Sequence, residues 1–509
     1  MTDFNKSDDQ SEQATGSQDS VTGDRSNLRG VFAILSDPST ATKRDSDALI
    51  DRQLDEWITE HEAEIVEQAQ ALIRIPSVLG EPEDGAPYGV ETRRALDFVV
   101  DLTQRYGLTT KMLDGHAMHA EFGEGDYLIG VLSHVDVVPA GQDWTYPPFG
   151  GDVAHGKLFG RGAIDDKGPA IASLYAMFAV KQTGVQINSR VRAIIGADEE
   201  TGFRCVAHYF EREEMPDVGF TPDGSFPVIY AEKGIAGPRL QSAIPETADQ
   251  IKLRELSGGE RSNMVPDRAY ATLTGAGVPW DTVASKIVRE NITTSMDGDE
   301  LHITAVGLSA HASYPHKGVN AVAMLVGALI DANVVPGLNQ WLETVHALAS
   351  DTTGAILGIA GNDEVCGDLT CNLGVAQTID NELQVTFSIR YPVTWKGSDV
   401  KAKVLEAAIG LGYSLTRWED SPPLYVPADD VLVETLMNVY RAETGDIQPP
   451  KTMGGGTYAR ALAKGVAFGP DFPGSPEIAH KADEFWRVDE LILATRIYAK
   501  AIARLACRS

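Results

Sequence analysis

Two short apolar runs, Tyr127-Leu-Ile-Gly-Val-Leu132 and Arg190-Val-Arg-Ala-Ile-Ile195, flank a helical stretch from Pro169 to about Gln182. No other feature constrains the fold as much. Successive rather than alternating apolar residues suit strands buried on both faces. Proline is at home in the first turn of a helix. Strand, helix, strand at this spacing predicts an α/β domain: a mixed, mostly parallel sheet covered by helices.

The pattern extends in both directions. Leu49, Leu54, Trp57, Ile58, Ile65, Ala69 and Leu72 recur at helical spacing until Pro76 stops them, and a second helix is expected at 91–105. From about residue 237 the character changes. Ala269-Tyr-Ala-Thr-Leu273, Leu301-His-Ile-Thr-Ala305 and Leu383-Gln-Val-Thr-Phe-Ser-Ile389 alternate as strands with one buried face do. Helical patterns at 279–289, 319–332, 339–349 and 398–410 separate them. Helices near 430–443, 457–463 and 489–505 restore the first style. The expected organisation is a polar, acidic, disordered tail at 1–45, a catalytic α/β domain at 46–236 and 425–509, and a large inserted α+β lid domain at 237–424.

Composition excludes several partners. The 509 residues carry a formal charge of −30, which would repel nucleic acid and anionic membranes. No apolar run reaches the 18 residues of a membrane span, and the first residues show no basic-then-apolar leader, so a cytoplasmic protein is expected. Four cysteines are too few for a disulfide scaffold, and Cys366 and Cys371 lack the second pair of a structural zinc site.

Acids and histidines gather where the strands end. Leu132-Ser-His134-Val-Asp136 sets a histidine and a carboxylate on one face of an extended chain, as a metal ligand and its orienter. A lone pair of this kind is more often a surface pair on an edge strand. Gly160-Arg-Gly-Ala-Ile-Asp165-Asp166 places two acids before a helix, where a cap needs only one. Asp198-Glu199-Glu200 closes the second apolar run, and three adjacent carboxylates repel unless solvated or neutralised. Asp223 sits in an Asp-Gly turn and His480 far along the chain; each alone is unremarkable. Together, two histidines and several carboxylates suit a pair of divalent cations sharing one bridging carboxylate.

In this combination and order the chain resembles the dinuclear zinc metallopeptidases that include aminoacylases, carnosine dipeptidases and succinyl-diaminopimelate desuccinylase. Ser257-Gly-Gly-Glu-Arg-Ser-Asn263, Ser388-Ile-Arg390-Tyr-Pro and Gly454-Gly-Gly-Thr457-Tyr-Ala-Arg460 resemble the PepV-type bacterial dipeptidases in particular. The resemblance implies that His134, Asp165 and Asp223 hold one metal, and that Asp165, Glu200 and His480 hold the other. Asp136 would orient His134, and Glu199 would be the general base. His311, in Gly307-Leu-Ser-Ala-His311, would stabilise the oxyanion. Asn263, Arg390 and the Gly455-Gly456-Thr457 loop would bind substrate, with Arg390 on its free carboxylate and the loop N–H groups cradling an anion. Without the resemblance, His311 would read as a surface histidine, Arg390 as a surface ion pair and the glycines as a flexible turn.

The expected activity is hydrolysis of dipeptides and short peptides with a free C-terminal carboxylate, using two divalent ions: Zn²⁺, with Mn²⁺ or Co²⁺ also fitting. A deacylase or desuccinylase shares this chemistry and is the alternative. A catalytically inactive ligand-binding homologue is disfavoured, because Glu199 and all five ligands are present. The long insertion can complete the site within one chain, so a monomer is expected.

Overall fold

The computed structural model describes residues 38–507, with side chains from residue 45 onward. Of the tail expected at 1–45, residues 1–37 lie outside the described residues, and the remainder falls in a helix that begins at Pro38. The chain divides into two compact units, Met1–Gln53 and Leu54–Ser509. In the first, the described residues belong to the helix Pro38–Ile73, which starts before Leu49, where the apolar periodicity begins. Everything below concerns the second.

The helix–strand framework follows the apolar pattern closely. Helices run over Val90–Arg105, Lys167–Gln182, Val431–Thr444 and Val488–Ala506. The first sheet takes the strands Leu128–His134, Arg190–Gly196, Val218–Thr221 and Gly465–Ala467 at its centre, and these four are parallel to one another. Its flanks are antiparallel: Ala117–Phe122 pairs with Arg190–Gly196, and Ile229–Glu232 pairs with Gly465–Ala467. The central strands carry the continuous apolar runs because Lys167–Gln182 and Val488–Ala506 pack against them and against each other.

The second sheet is built from residues 234–421 and is antiparallel throughout. At its centre lie Arg268–Thr274, Lys252–Gly258, Thr370–Ile379 and Glu382–Tyr391. Their alternating burial presents one apolar face to helices Trp280–Ile287, Ala321–Ala332, Asn339–Ser350 and Gly397–Gly410, which share its core. The helix expected at 457–463 is instead a single 3-10 turn, Tyr458–Ala461, capped by the Thr457 side chain.

Candidate metal and substrate site

Three neighbouring parallel strands deliver the first group of side chains at their carboxyl ends, where open α/β sheets place ligands. His134 is the last residue of the middle strand. On one side, Arg190–Gly196 runs into Asp198-Glu199-Glu200; on the other, Val218–Thr221 runs into Asp223.

His134 is fully buried. Its Nδ1 lies 3.0 Å from the Asp136 carbonyl oxygen and 3.4 Å from Asp136 Oδ1, so both parts of Asp136 orient the ring. Asp136 has a second task that its spacing did not reveal. Oδ1 accepts the N–H of Glu199 at 3.1 Å, and Oδ2 accepts that of Glu200 at 3.1 Å. One carboxylate therefore bends the chain so that successive acids turn toward the same place, although neighbours on an extended strand diverge. Asp198 is excluded from that convergence: it is buried and paired with Arg204, at 2.7 Å for both Nε and Nη2.

Asp165 joins two imidazoles. Oδ1 is 3.2 Å from His134 Nε2, and Oδ2 is 3.0 Å from His480 Nε2. His480 Nε2 also lies 3.0 Å from Glu200 Oε1. One donor atom each from His134, Asp165 and Glu200 falls within 4.8 Å of the others, and so does one each from His134, Glu199 and Asp223. Six predicted residues thus converge: His134, Asp165, Glu199, Glu200, Asp223 and His480.

The charges of this cluster do not balance. Among the described residues no lysine or arginine pairs with Asp165, Glu199, Glu200 or Asp223. Burial, followed by repulsion from Asp165, pushes the Asp223 carboxyl up to about 7. Burial and then Asp223 push Glu199 well above the usual carboxylate range. Hydrogen bonds to Asp165 and Glu200 push His480 up to about 10. Burial opposes charge on His134, but Asp136 and Asp165 outweigh it and raise its pKa. Protons are being drawn in where positive charge is missing. His134 Nε2, fully buried, makes no hydrogen bond. An orphaned imidazole nitrogen among carboxylate oxygens is the donor set of borderline and hard divalent cations, and the residues fit such a group.

Residues beside the motifs brace this cluster. Buried Glu484 accepts the N–H groups of Gly162 at 2.9 Å and Ile164 at 3.1 Å, and pairs with buried Arg161 at 2.5 Å. It thereby locks the loop bearing Asp165 to the segment bearing His480. Asp166 does not cap its helix through the side chain; instead it accepts the backbone N–H of His134 at 3.1 Å. Both residues adjoin predicted ligands, and that adjacency is the signal by which they could be found.

The second group forms around the inserted sheet. Arg390 is 5% exposed, and its guanidinium has no hydrogen-bond or ion-pair partner among the described residues. Burial, and then the nearby Arg460 charge, lowers it to about 10. Desolvation and the Arg390 charge also hold the His311 imidazole below its ordinary value. His311 Nδ1 accepts the N–H of Ser313 at 3.2 Å, so in the neutral ring the proton sits on Nε2, free to donate. The Ala312 N–H donates to the Asn263 carbonyl oxygen at 2.8 Å, which sets Asn263 beside His311. A Cβ on Gly454 would lie 3.0 Å from that of Ser313, so the glycine loop abuts the His311 segment. The same loop reaches the first group, where Tyr458 N donates to Asp223 Oδ2 at 3.3 Å.

One expectation is overturned here. Thr457 cannot offer its donors to an anion: its N–H goes to Glu232 Oε2 at 3.1 Å and its hydroxyl to Glu232 Oε1 at 2.5 Å. Glu232 is fully buried and also holds Arg460 at 2.8 Å. The N–H groups of Gly455 and Gly456 make no hydrogen bond among the described residues, but the helix whose N-terminus they were to form is only the four-residue turn. Nothing in the sequence marked Glu232 except its place at the end of the apolar run Val-Ile-Tyr-Ala.

Carboxylates and an imidazole at the ends of parallel strands, met by His480 from a turn and with an antiparallel sheet inserted beside them, offer the donor set of a metallohydrolase. The sequence profile of Peptidase family M20/M25/M40 matches residues 130–504, and the chain belongs to that family. Several relatives carry the name "Putative dipeptidase". YtjP of Bacillus subtilis (strain 168) is 40% identical over 457 residues, covering 87% of this chain and 97% of its own. A Staphylococcus epidermidis protein is 36% identical over 463 residues, covering 88% and 98%. The fold is shared with human carnosine dipeptidase 1, with TM-score 0.52 and 16% identity over 90% of this chain and 99% of that one. It is also shared with the di-peptidase Dug1p of Saccharomyces cerevisiae, with TM-score 0.53 and 15% identity over 90% and 98%.

Proposed function

We propose that the protein is a metal-dependent dipeptidase that hydrolyses dipeptides and short peptides bearing a free C-terminal carboxylate. The observation that carries the substrate class is Arg390. A buried guanidinium with no partner is costly, and the planar fork suits a carboxylate. His134, Asp165 and Asp223 would hold one divalent ion, and Asp165, Glu200 and His480 a second, with Zn²⁺ best suited to the donors and Mn²⁺ or Co²⁺ acceptable. Such ions supply Lewis-acid polarisation of the scissile carbonyl and acidify water.

The chain's own residues do the rest. The Glu199 side chain has no hydrogen-bond or ion-pair partner among the described residues; it lies within ligand distance of His134 and Asp223 but is left out of both proposed trios, which keeps its carboxylate for proton transfer. It takes the proton of the attacking water and returns it to the leaving amine. His311 Nε2–H donates to the carbonyl oxygen as charge develops there. Arg390 fixes the carboxylate, and Asn263, beside His311, contacts the substrate near its reacting end.

The likeness to named dipeptidases supports this reading over a deacylase or desuccinylase. A monomer acting in the cytoplasm accords with a lid supplied in cis; no described helix is long and apolar enough to cross a membrane. The test is a dipeptide panel with and without a chelator, each substrate also C-terminally amidated. Hydrolysis should vanish with the metal, return on adding Zn²⁺ or Mn²⁺, and fail on amides. Undiminished cleavage without metal would overturn the reading, and equal cleavage of amides would remove the carboxylate clamp.

A further inference from the structure

Among the described residues the chain passes between the two sheets only twice. It leaves the first after Ile229–Glu232 and enters the second at Gly234–Ala236, with Lys233 alone between them. It leaves the second after Asp420–Ser421 and re-enters the first at Leu424–Tyr425, through Pro422 and Pro423. The two crossings run side by side as an antiparallel ribbon. Glu232 faces Leu424 on the first-sheet side, and Ile235 faces Ser421 on the other. Between those pairs the ladder is broken, because neither proline has an N–H to give.

Arg460 fills the gap. Its Nη1 donates to the carbonyl oxygens of Ser421 at 3.4 Å and Pro422 at 2.8 Å, and to the Ser421 hydroxyl at 3.1 Å. Its Nη2 donates to the Lys233 carbonyl and, at 3.1 Å, to that of Gly455. Its Nε donates to Glu232 at 2.8 Å, the ion pair being buried on both sides. One guanidinium therefore ties both crossings to each other and to the glycine loop. The loop is shaped for it: a Cβ on Gly456 would lie 2.5 Å from Arg460 Nε. Gly454, two residues back, abuts Ser313 in the His311 segment.

We propose that Arg460 is a positioning residue, the pin of an intersheet hinge that sets where the inserted sheet holds His311 and Arg390 relative to the acidic cluster. No other side chain could do this equally well. Lysine has the charge but not a planar fork able to serve four carbonyls and a carboxylate at once. The pin stands without any substrate. Only its effect on turnover rests on the proposed dipeptidase reading.

The test uses the full-length, metal-loaded protein carrying Arg460→Lys, followed by hydrogen-exchange mass spectrometry and dipeptide kinetics. Amides of 229–236 and 420–426 should exchange on the order of tenfold faster, while Leu128–His134 keeps its protection. Because a hinge fault misplaces groups rather than removing them, kcat should fall and KM rise together, lowering kcat/KM about tenfold to a hundredfold with metal content unchanged. Unchanged exchange at both crossings would overturn the pin. Faster exchange with unaltered kcat and KM would overturn the positioning role. Should Arg460→Lys fail to fold, the paired Arg460→Met, Glu232→Leu variant removes both charges without leaving one buried, and it faces the same two criteria. If the wild type cleaves no dipeptide, the dipeptidase reading fails while the exchange result still decides the pin.

Discussion

The two halves of the site are unbalanced in opposite senses. At the ends of the parallel strands, four carboxylates converge with two imidazoles and no lysine or arginine among the described residues. Beside the inserted sheet, the reverse holds: Arg390 is buried with no acid paired to it among the described residues. Each arrangement is destabilising in the free protein, since buried charges are normally paired. The contrast with Arg161–Glu484 and Arg460–Glu232 is instructive, because those buried pairs are complete and brace the loops. Complete pairs mark scaffold; incomplete ones mark where something else is to bind. The deficits also differ in kind: the first group calls for cations, the second for an anion.

The largest expected effect tests the first half. Glu199→Gln should lower kcat by about a hundredfold to ten-thousandfold, the usual contribution of a positioned acid–base group. Because it removes a carboxylate repelled by Asp223, the metal-free variant should also be more stable to denaturant than the metal-free parent. Metal content decides the role. Two ions retained per chain keep Glu199 as the base, whereas loss of one ion would make it a ligand, a role its distance from His134 and Asp223 would allow.

Arg390→Met probes the second half. The substitution removes an unpaired buried cation, so the melting temperature should hold or rise. On free dipeptides kcat/KM should drop about a hundredfold, in keeping with the loss of a charge-assisted bidentate contact. The penalty should disappear on amidated substrates. A fall in stability together with an equal loss on both substrate types would recast Arg390 as scaffold and break the comparison.

What could be read from the sequence divides along physical lines. The strands ending at His134 and Gly196 are legible because burial on both faces forces continuous apolar runs, and the inserted strands because one-sided burial forces alternation. The convergent acids are legible as chemistry out of place: charge at the end of an apolar strand needs a reason. Partners that act across the fold are not. Asp136 bending Glu199-Glu200 and Glu232 holding Thr457 join residues 63 and 225 positions apart, and Glu484, marked only by its nearness to His480, grips a loop 322 positions away. No local period encodes such pairs. Thr457 shows the resulting error: a glycine-rich turn before an apolar stretch looks like an anion-binding helix start, while the acid that occupies its donors lies in another strand.

That error yields the smallest and most discriminating prediction. If the Thr457 hydroxyl served substrate, Thr457→Val would raise KM for free dipeptides and leave the resting protein nearly as stable. The observed bonds predict the opposite. Valine keeps the shape and the N–H bond to Glu232 but loses the hydroxyl that reaches Glu232 Oε1 and caps Ala459. A lost hydrogen bond to a buried carboxylate should cost about 2 kcal/mol, measurable in a urea titration, while KM stays where it was. A raised KM at unchanged stability would return Thr457 to the substrate half. The predicted result would place it with Glu232 and Arg460 among the complete, bracing pairs, leaving Arg390 as a buried cation without an acid among the described residues.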